Sequence, residues 1–262
     1  MKKIITLLLS FLLVFCLQGE STTFSFQEYE NRILKEAELS NKTLTKDEIK
    51  ERIEELKTYS AINRFDEDIS RFMLEDSKKM PPYNSLLFIG SSSIRYWKSL
   101  EEDMSPFKVI NRGFGGAHIA HVNRHFNQIV KPYKPKGIIF FCGSNDINAL
   151  KDPIEVFKEF REFFNEVQTS FKKTKIFVIG IKPSIARDYQ REKQKIWNEA
   201  VKQMANEENN LYFIDVLPSM LLDGKANPEL FVSDGLHMNR QGYEVWTKLL
   251  KPVLLKHFNV DA

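Results

Sequence analysis

Cysteine is almost missing from this chain. Only Cys16 and Cys142 occur in 262 residues, which excludes a disulfide-stapled scaffold. If the N-terminus is removed beyond Cys16, Cys142 has no partner for an internal disulfide. Charge of one sign is missing as well. The 38 Lys and Arg against 35 Asp and Glu leave a formal charge of +3, in mixed-sign runs rather than basic blocks, so nucleic acid is not an expected partner. Hydrophobic residues at 42% and charged residues at 28% exclude wholesale disorder and a multi-span membrane protein. The patterns GxSxG, GxGxxG and HExxH are absent, and with them the signals of the usual nucleophile elbow, dinucleotide loop and zinc helix. What is abundant is phenylalanine, 21 residues, on a chain long enough for one α/β domain with a modest extension.

The N-terminus reads as an export signal. Lys2 and Lys3 precede the apolar run Ile4 to Leu17, broken only by Thr6 and Ser10, and polar residues follow from Gln18. The run falls short of the about 20 residues needed to span a bilayer, so cleavage within 1–20 is expected over a permanent anchor. Cys16 stands where a bacterial lipoprotein carries its lipid, but bulky Phe15 precedes it where such signals want a small residue. Contact with a membrane is expected only through this segment or a lipid there, and the protein is expected in the periplasm, the cell envelope or the medium.

Residues 21–60 form a polar helical extension. Thr45 and Glu48 make a capping box ahead of Ile49, Ile53 and Leu56 at helical spacing. From 61 to 262 the pattern becomes a single domain. A helix carrying Phe65, Ile69 and Phe72 ends before Pro81, and five apolar runs follow: 86–89, 108–110, 137–142, 175–181 and 211–216, separated by helical stretches. One such helix opens on Asp152 and Pro153 and aligns Ile154, Phe157, Phe160, Phe164, Val167 and Phe171. Another, 190–205, carries Ile196, Trp197, Val201 and Met204. The last opens at Asn239 with Tyr243, Trp246, Leu250 and Leu254, and tolerates Pro252 as a kink or a break. Strands alternating with helices predict a three-layer α/β/α sandwich on a five-stranded parallel sheet, with its site at the carboxyl ends of the strands.

Four loops at strand ends or before the last helix carry chemistry. Gly90-Ser91-Ser92-Ser93 can expose a hydroxyl in a tight strand-to-helix turn, although a serine-rich turn taken alone is more often a helix cap. Asn111-Arg112-Gly113-Phe114-Gly115-Gly116 permits a backbone path close to a ligand, or is a plain turn. Gly143-Ser144-Asn145-Asp146 offers an Asn amide to a developing oxyanion, or an Asx turn. Asp234-Gly235-Leu236-His237 lets one loop present a carboxylate and an imidazole together.

In this order the four blocks resemble the SGNH hydrolases, the GDSL-type esterases and lipases, over roughly Arg64 to Phe258. Ser92 matches the family's Ser, Gly116 its Gly, Asn145 its Asn and His237 its His, with Asp234 in the DxxH block. The resemblance implies a Ser92 nucleophile, a His237 base, an Asp234 orienter, and an oxyanion hole from the Ser92 and Gly116 N–H groups and the Asn145 amide. It implies that the sandwich is flavodoxin-like, and it implies no metal or organic cofactor. The family's Asp before the nucleophile is Ser91 here, which loosens the choice among Ser91, Ser92 and Ser93, with register from Gly90 favouring Ser92. The GSSSIR form resembles relatives of the platelet-activating-factor acetylhydrolase type.

The expected function is therefore an exported serine esterase that removes short acyl groups, acetyl among them, from a carbohydrate, lipid or small-molecule ester. The alternatives are an O-acyltransferase using the same triad and a catalytically silent cell-surface binding protein. His118, His121 and His125 fall on one helical face, expected as a partly exposed polar face rather than a zinc site. Cys142 is expected as a small buried hydrophobe, and Asn41-Lys42-Thr43 matches a glycosylation sequon by pattern only.

Overall fold

The computed structural model describes residues 24–39 and 42–259. The expected signal segment, Cys16 and the Asn41 sequon lie outside the described residues.

Five short strands build the sheet: β1 Leu86–Gly90, β2 Val109–Gly113, β3 Gly137–Phe141, β4 Lys175–Ile179 and β5 Leu211–Ile214. All pair in parallel in the order β2-β1-β3-β4-β5. β1, β3 and β4 are apolar almost throughout because helices cover both faces of the sheet. Leu87, Ile89, Ile138, Phe140, Ile176 and Val178 point to one face and Leu86, Phe88, Ile139, Phe141, Phe177 and Ile179 to the other. Alternate residues thus feed two separate cores.

The helices are α1 Phe26–Leu39, α2 Lys46–Ser60, α3 Asp66–Lys78, α4 Ser92–Arg95, α5 Leu100–Met104, α6 Ile119–Arg124, α7 Phe126–Ile129, α8 Ser144–Asn148, α9 Pro153–Ser170, α10 Arg191–Glu207 and α11 Arg240–His257. α3, α6, α7, α9 and α10 contribute to the first core, and α4, α5 and α11 to the second. The architecture is the three-layer α/β/α sandwich that the alternating pattern predicts, with a helical N-terminal region.

The expected helix starts are present as hydrogen bonds. Thr45 and Glu48 cap each other's backbone at α2, Asp152 accepts from the Ile154 N–H at 2.9 Å, and Asn239 accepts from the Gly242 N–H at 3.2 Å. Pro252 sits inside an unbroken α11. Two stripe assignments need correction. Ile154 is 48% exposed and Ile196 is 50% exposed. The buried stripe of α9 instead runs through Val156, Phe160, Phe163, Phe164 and Val167, because Pro153 begins the helix with Ile154 turned to solvent. Burying a phenylalanine there contributes about 1.5–3 kcal/mol, and Phe160 and Phe163 both pack on Phe140 of β3.

Strand ends shift too. β2 runs on to Gly113, since its pairing with β1 continues to Gly90 opposite Gly113. Asn111 and Arg112 are therefore strand residues, not loop residues. Arg112 points away from the strand ends into a buried cluster with Asp76 and Tyr133.

The extension is docked rather than free. Tyr29, Ile33, Ile49, Ile53 and Leu56 form a third apolar cluster together with Ala149 and Leu150, just after α8. Arg32 bridges to Glu155 with two bonds of 2.9 Å and donates to the Leu150 carbonyl at 2.8 Å.

Candidate active site

The carboxyl ends of the strands converge on one small cavity. Ser91, Ser92, Ser93, Ser144, Asn145, Lys182, Arg187, Leu236 and His237 line it, with Phe141 at its base.

Ser92 is placed by a turn that only glycine permits. Gly90 has φ +136°, and a Cβ there would lie 1.9 Å from the Phe141 carbonyl oxygen. The chain passes this close because the Ser91 N–H donates to that same oxygen at 2.9 Å. Ser92 then opens the short helix α4. Asn111 Nδ2 donates to the Ile94 carbonyl at 2.8 Å and the Tyr243 hydroxyl to the Ser93 carbonyl at 3.0 Å, which clamps the turn from β2 and from α11. Of the three serines, Ser92 is the one whose hydroxyl meets the histidine.

That contact spans 145 residues of sequence: the Ser92 hydroxyl lies 3.0 Å from His237 Nε2. On the other side of the ring, His237 Nδ1 is 2.6 Å from Asp234 Oδ2, and with a carboxylate there Nδ1 carries the proton and Nε2 accepts. Asp234 Oδ1 also accepts from the Leu236 and His237 N–H groups at 2.8 and 2.9 Å. Partial burial pushes the Asp234 carboxyl up, but the His237 side chain and these amides outweigh it and hold it at about 2. The carboxylate is thus charged at any physiological pH. Tyr96 meets the His237 ring edge-on at 5.1 Å.

Asn145 follows Gly143 at the end of β3. Its Nδ2 donates one proton to the Ala117 carbonyl at 3.0 Å, leaving the second free, and its Oδ1 accepts from Arg187 at 3.0 Å. These two partners fix which way the amide faces. Gly116, at φ +83°, borders Arg64 rather than lining the cavity. Its N–H and that of Ser92 have no hydrogen-bond partner among the described residues.

Asp146 is what joins two of the site loops. Its buried carboxylate accepts from the Ile119 N–H at 3.1 Å and from Lys151 at 3.3 Å, and Lys151 also donates to Glu159 at 2.6 Å. Burial pushes the Glu159 carboxyl up to about 7 against the pull of Lys151. The network holds the Asn145 loop to the start of α6.

The histidine trio behaves differently from expectation. His118, His121 and His125 are all buried. His121 accepts from the His118 N–H at 2.9 Å and lies 3.1 Å from the Ala61 carbonyl, while burial lowers its basicity to about 3. The helical face is therefore interior, because α2 and the following turn cover it; Tyr59 packs edge-on against His118 at 5.0 Å. Among the described residues no group of three or more His, Cys, Asp or Glu side chains is arranged to hold a metal ion. Cys142 is fully buried, and burial pushes its thiol well up, so it remains a packed thiol.

Lys182 and Arg187 are absent from the sequence expectations, and Asn111 and Tyr243 appear there only as a loop and a helix residue. Lys182 follows the fourth strand, where the same strand-end rule points. The contacts of Arg187, Asn111 and Tyr243 at the site are made only on folding.

The profile of the GDSL-like lipase/acylhydrolase family matches residues 90–245, more than half of the chain. Solved structures share the fold. One is a protein from Streptococcus pneumonia named for platelet activating factor, 24% identical over 76% of this chain and 94% of its own, with a TM-score of 0.64. A GDSL-like lipase from Bacteroides thetaiotaomicron is 18% identical over 72% of this chain and 98% of its own, at 0.63. An acetylxylan esterase from Geobacillus stearothermophilus, in a catalytic mutant form, is 19% identical over 66% of this chain and 94% of its own, at 0.51. No curated protein matches the sequence.

Proposed function

This chain belongs to the GDSL-like lipase/acylhydrolase family and is a carboxylic ester hydrolase, and on that premise we propose that it is an exported serine esterase that removes short acyl groups, acetyl among them, through an acyl-Ser92 intermediate. The observation that carries the assignment is the line Ser92 Oγ, His237 Nε2, His237 Nδ1, Asp234 Oδ2, with links of 3.0 and 2.6 Å.

Ser92 Oγ attacks the ester carbonyl as its proton passes to His237 Nε2. The resulting imidazolium is held by the charged Asp234. The oxyanion is received by the free Ser92 N–H and the second Nδ2 proton of Asn145, both on the cavity wall, and the family likeness assigns the same role to the Gly116 N–H, although that residue borders Arg64. Collapse breaks the bond to the alcohol, which leaves with the proton from His237. Water then attacks the acyl-serine by the same route and releases the carboxylic acid. The narrow cleft between Ser92, Asn145 and His237 is the feature that favours a short acyl group over a long one. The acetyl preference draws on the acetylxylan esterase, and a carbohydrate ester is the favoured substrate by the same likeness. The lysine-led apolar segment at 2–17 supports export.

Assay of purified protein on p-nitrophenyl esters from acetate to palmitate tests this. Turnover is expected to be highest on the shortest chains, and Ser92→Ala or His237→Ala is expected to lower kcat by about 10³-fold or more. Unchanged turnover in Ser92→Ala would overturn the assignment. Exclusive transfer of the acyl group to an added sugar, with no free acid, would favour an acyltransferase.

A further inference from the structure

Around the catalytic serine, cationic side chains have no carboxylate to neutralise them. Arg187 lies over the cavity and donates one nitrogen to Ser144 Oγ at 2.9 Å and to Asn145 Oδ1 at 3.0 Å. Both acceptors are neutral. Arg64 rests on the rings of Tyr59 and Phe65 and donates to the Tyr59 carbonyl, with its guanidinium 3.2 Å from the point where a Gly116 Cβ would sit. Arg95 is placed the same way at Gly115, 3.3 Å from the corresponding point. Among the described residues none of the three has an Asp or Glu oxygen within 4.0 Å, a lack shared only with the solvent-exposed Arg161 of α9, whereas Arg32, Arg52, Arg71, Arg112, Arg124, Arg191 and Arg240 all have one. The cavity wall itself includes Lys182 and Arg187 and no carboxylate.

Those guanidinium groups stand beside the oxyanion donors, one next to Asn145 and one next to Gly116. An arginine has five N–H donors in a planar fork suited to carboxylate and phosphate. Arg187 spends one nitrogen on Ser144 and Asn145 and also meets the Tyr59 side chain, which holds it in place while its charge is left without a carboxylate. With the acyl group short and uncharged, as proposed above, a charged substituent belongs to the alcohol portion.

We propose that Arg187, supported by Arg64 and Arg95, forms a subsite for an anionic group, carboxylate or phosphate, on the alcohol portion of the ester. This rests on the esterase assignment above for its catalytic consequence, and the binding it requires does not depend on turnover. Near-neutral net charge on the whole chain hides a local field at the mouth of the site.

The test compares three aryl acetates: 4-acetoxybenzoate, 4-acetoxyphenyl phosphate and the neutral 4-acetoxybenzamide. For the full chain, kcat/KM for one of the anionic esters is expected to exceed that for the amide by about tenfold at low ionic strength, with the gap closing as salt is raised. The benzoate and phosphate arms tell which anion is preferred. Arg187→Gln should remove most of the preference, and Arg187→Lys should keep part of it, since the charge remains while the fork is lost. Because Arg187 also holds Asn145, the ratio of the two substrates is the readout rather than the absolute rate. Calorimetric titration of benzoate, phenyl phosphate and benzamide into the same proteins reads the subsite without turnover. Equal hydrolysis of charged and neutral esters, with no preference in the titration, would overturn the subsite and leave the esterase standing. Anion binding that weakens in Arg187→Gln, with no ester hydrolysed, would keep the subsite and remove the esterase assignment.

Discussion

Lys182 shows what burial does to a single charged group in this site. Its amine is fully enclosed beside the cavity and donates to the Leu236 carbonyl at 2.5 Å. Burial, reinforced by the nearby Arg187 and opposed by Asp234, lowers its basicity from 10.5 to about 7. The unfolded chain therefore holds a proton between pH 7 and 10.5 that the folded chain has released. Stability should rise with pH from about 7 toward 9, above which the buried Cys142 thiol acts in the opposite direction, and the rise should vanish in Lys182→Met, which keeps the apolar stem. Urea unfolding of both proteins at neutral and alkaline pH checks this, and parallel curves would refute it. Gly90 is constrained more simply. Gly90→Ala places a methyl against the Phe141 carbonyl in a backbone region that L-residues rarely adopt, so it should abolish activity and lower Tm together, as read by circular dichroism and ester hydrolysis.

At the scale of elements, the site depends on loops that are tied to one another more than on any single helix. α8 begins the Asn145 loop and α6 follows the Gly116 loop, and Asp146 joins them through the Ile119 N–H. Asp146→Ala removes that bond and leaves the buried Lys151 with Glu159 alone. A loss of about 3–5 kcal/mol in unfolding free energy is expected. Asn145→Ala differs: it should lower kcat by about 10²-fold or more through the oxyanion, with a smaller change in KM, and steady-state kinetics separates the two. The elements themselves were largely legible. Thr45 and Glu48, Asp152 and Pro153, and Asn239 announce three helix starts, and each is a cap in the folded chain. The errors fall where a tertiary neighbour overrides the local pattern. β2 extends through Asn111 and Arg112 because β1 continues to pair with it, and Ile154 turns outward because Val156 and Phe163 meet the sheet better.

For the whole molecule, the extension is part of the globule. Ile53 is fully buried against α1 and the turn after α8, and Ile53→Ala should cost about 2–4 kcal/mol. If α1 and α2 unfold with the sandwich, the whole thermal transition shifts. An unchanged main transition would mean that they unfold separately. Their docking also explains the histidines, whose spacing suggests an exposed polar face until α2 and the turn at Ala61 cover it.

The order of the strands and helices, the sandwich layers, and the Ser92, Asn145, Asp234 and His237 blocks were all decided by the sequence, because apolar period, caps and short motifs are local properties of the chain. The register from Gly90 already favoured Ser92, but only the tertiary structure brings its hydroxyl to the histidine, since that contact joins residues 145 apart. The tertiary structure also decided which way the Asn145 amide faces, and that Arg187 stands on the cavity wall without a carboxylate, with Arg64 and Arg95 likewise unpaired beside Gly116 and Gly115. Those outcomes depend on loops brought together from several strand ends, and no window of sequence contains them.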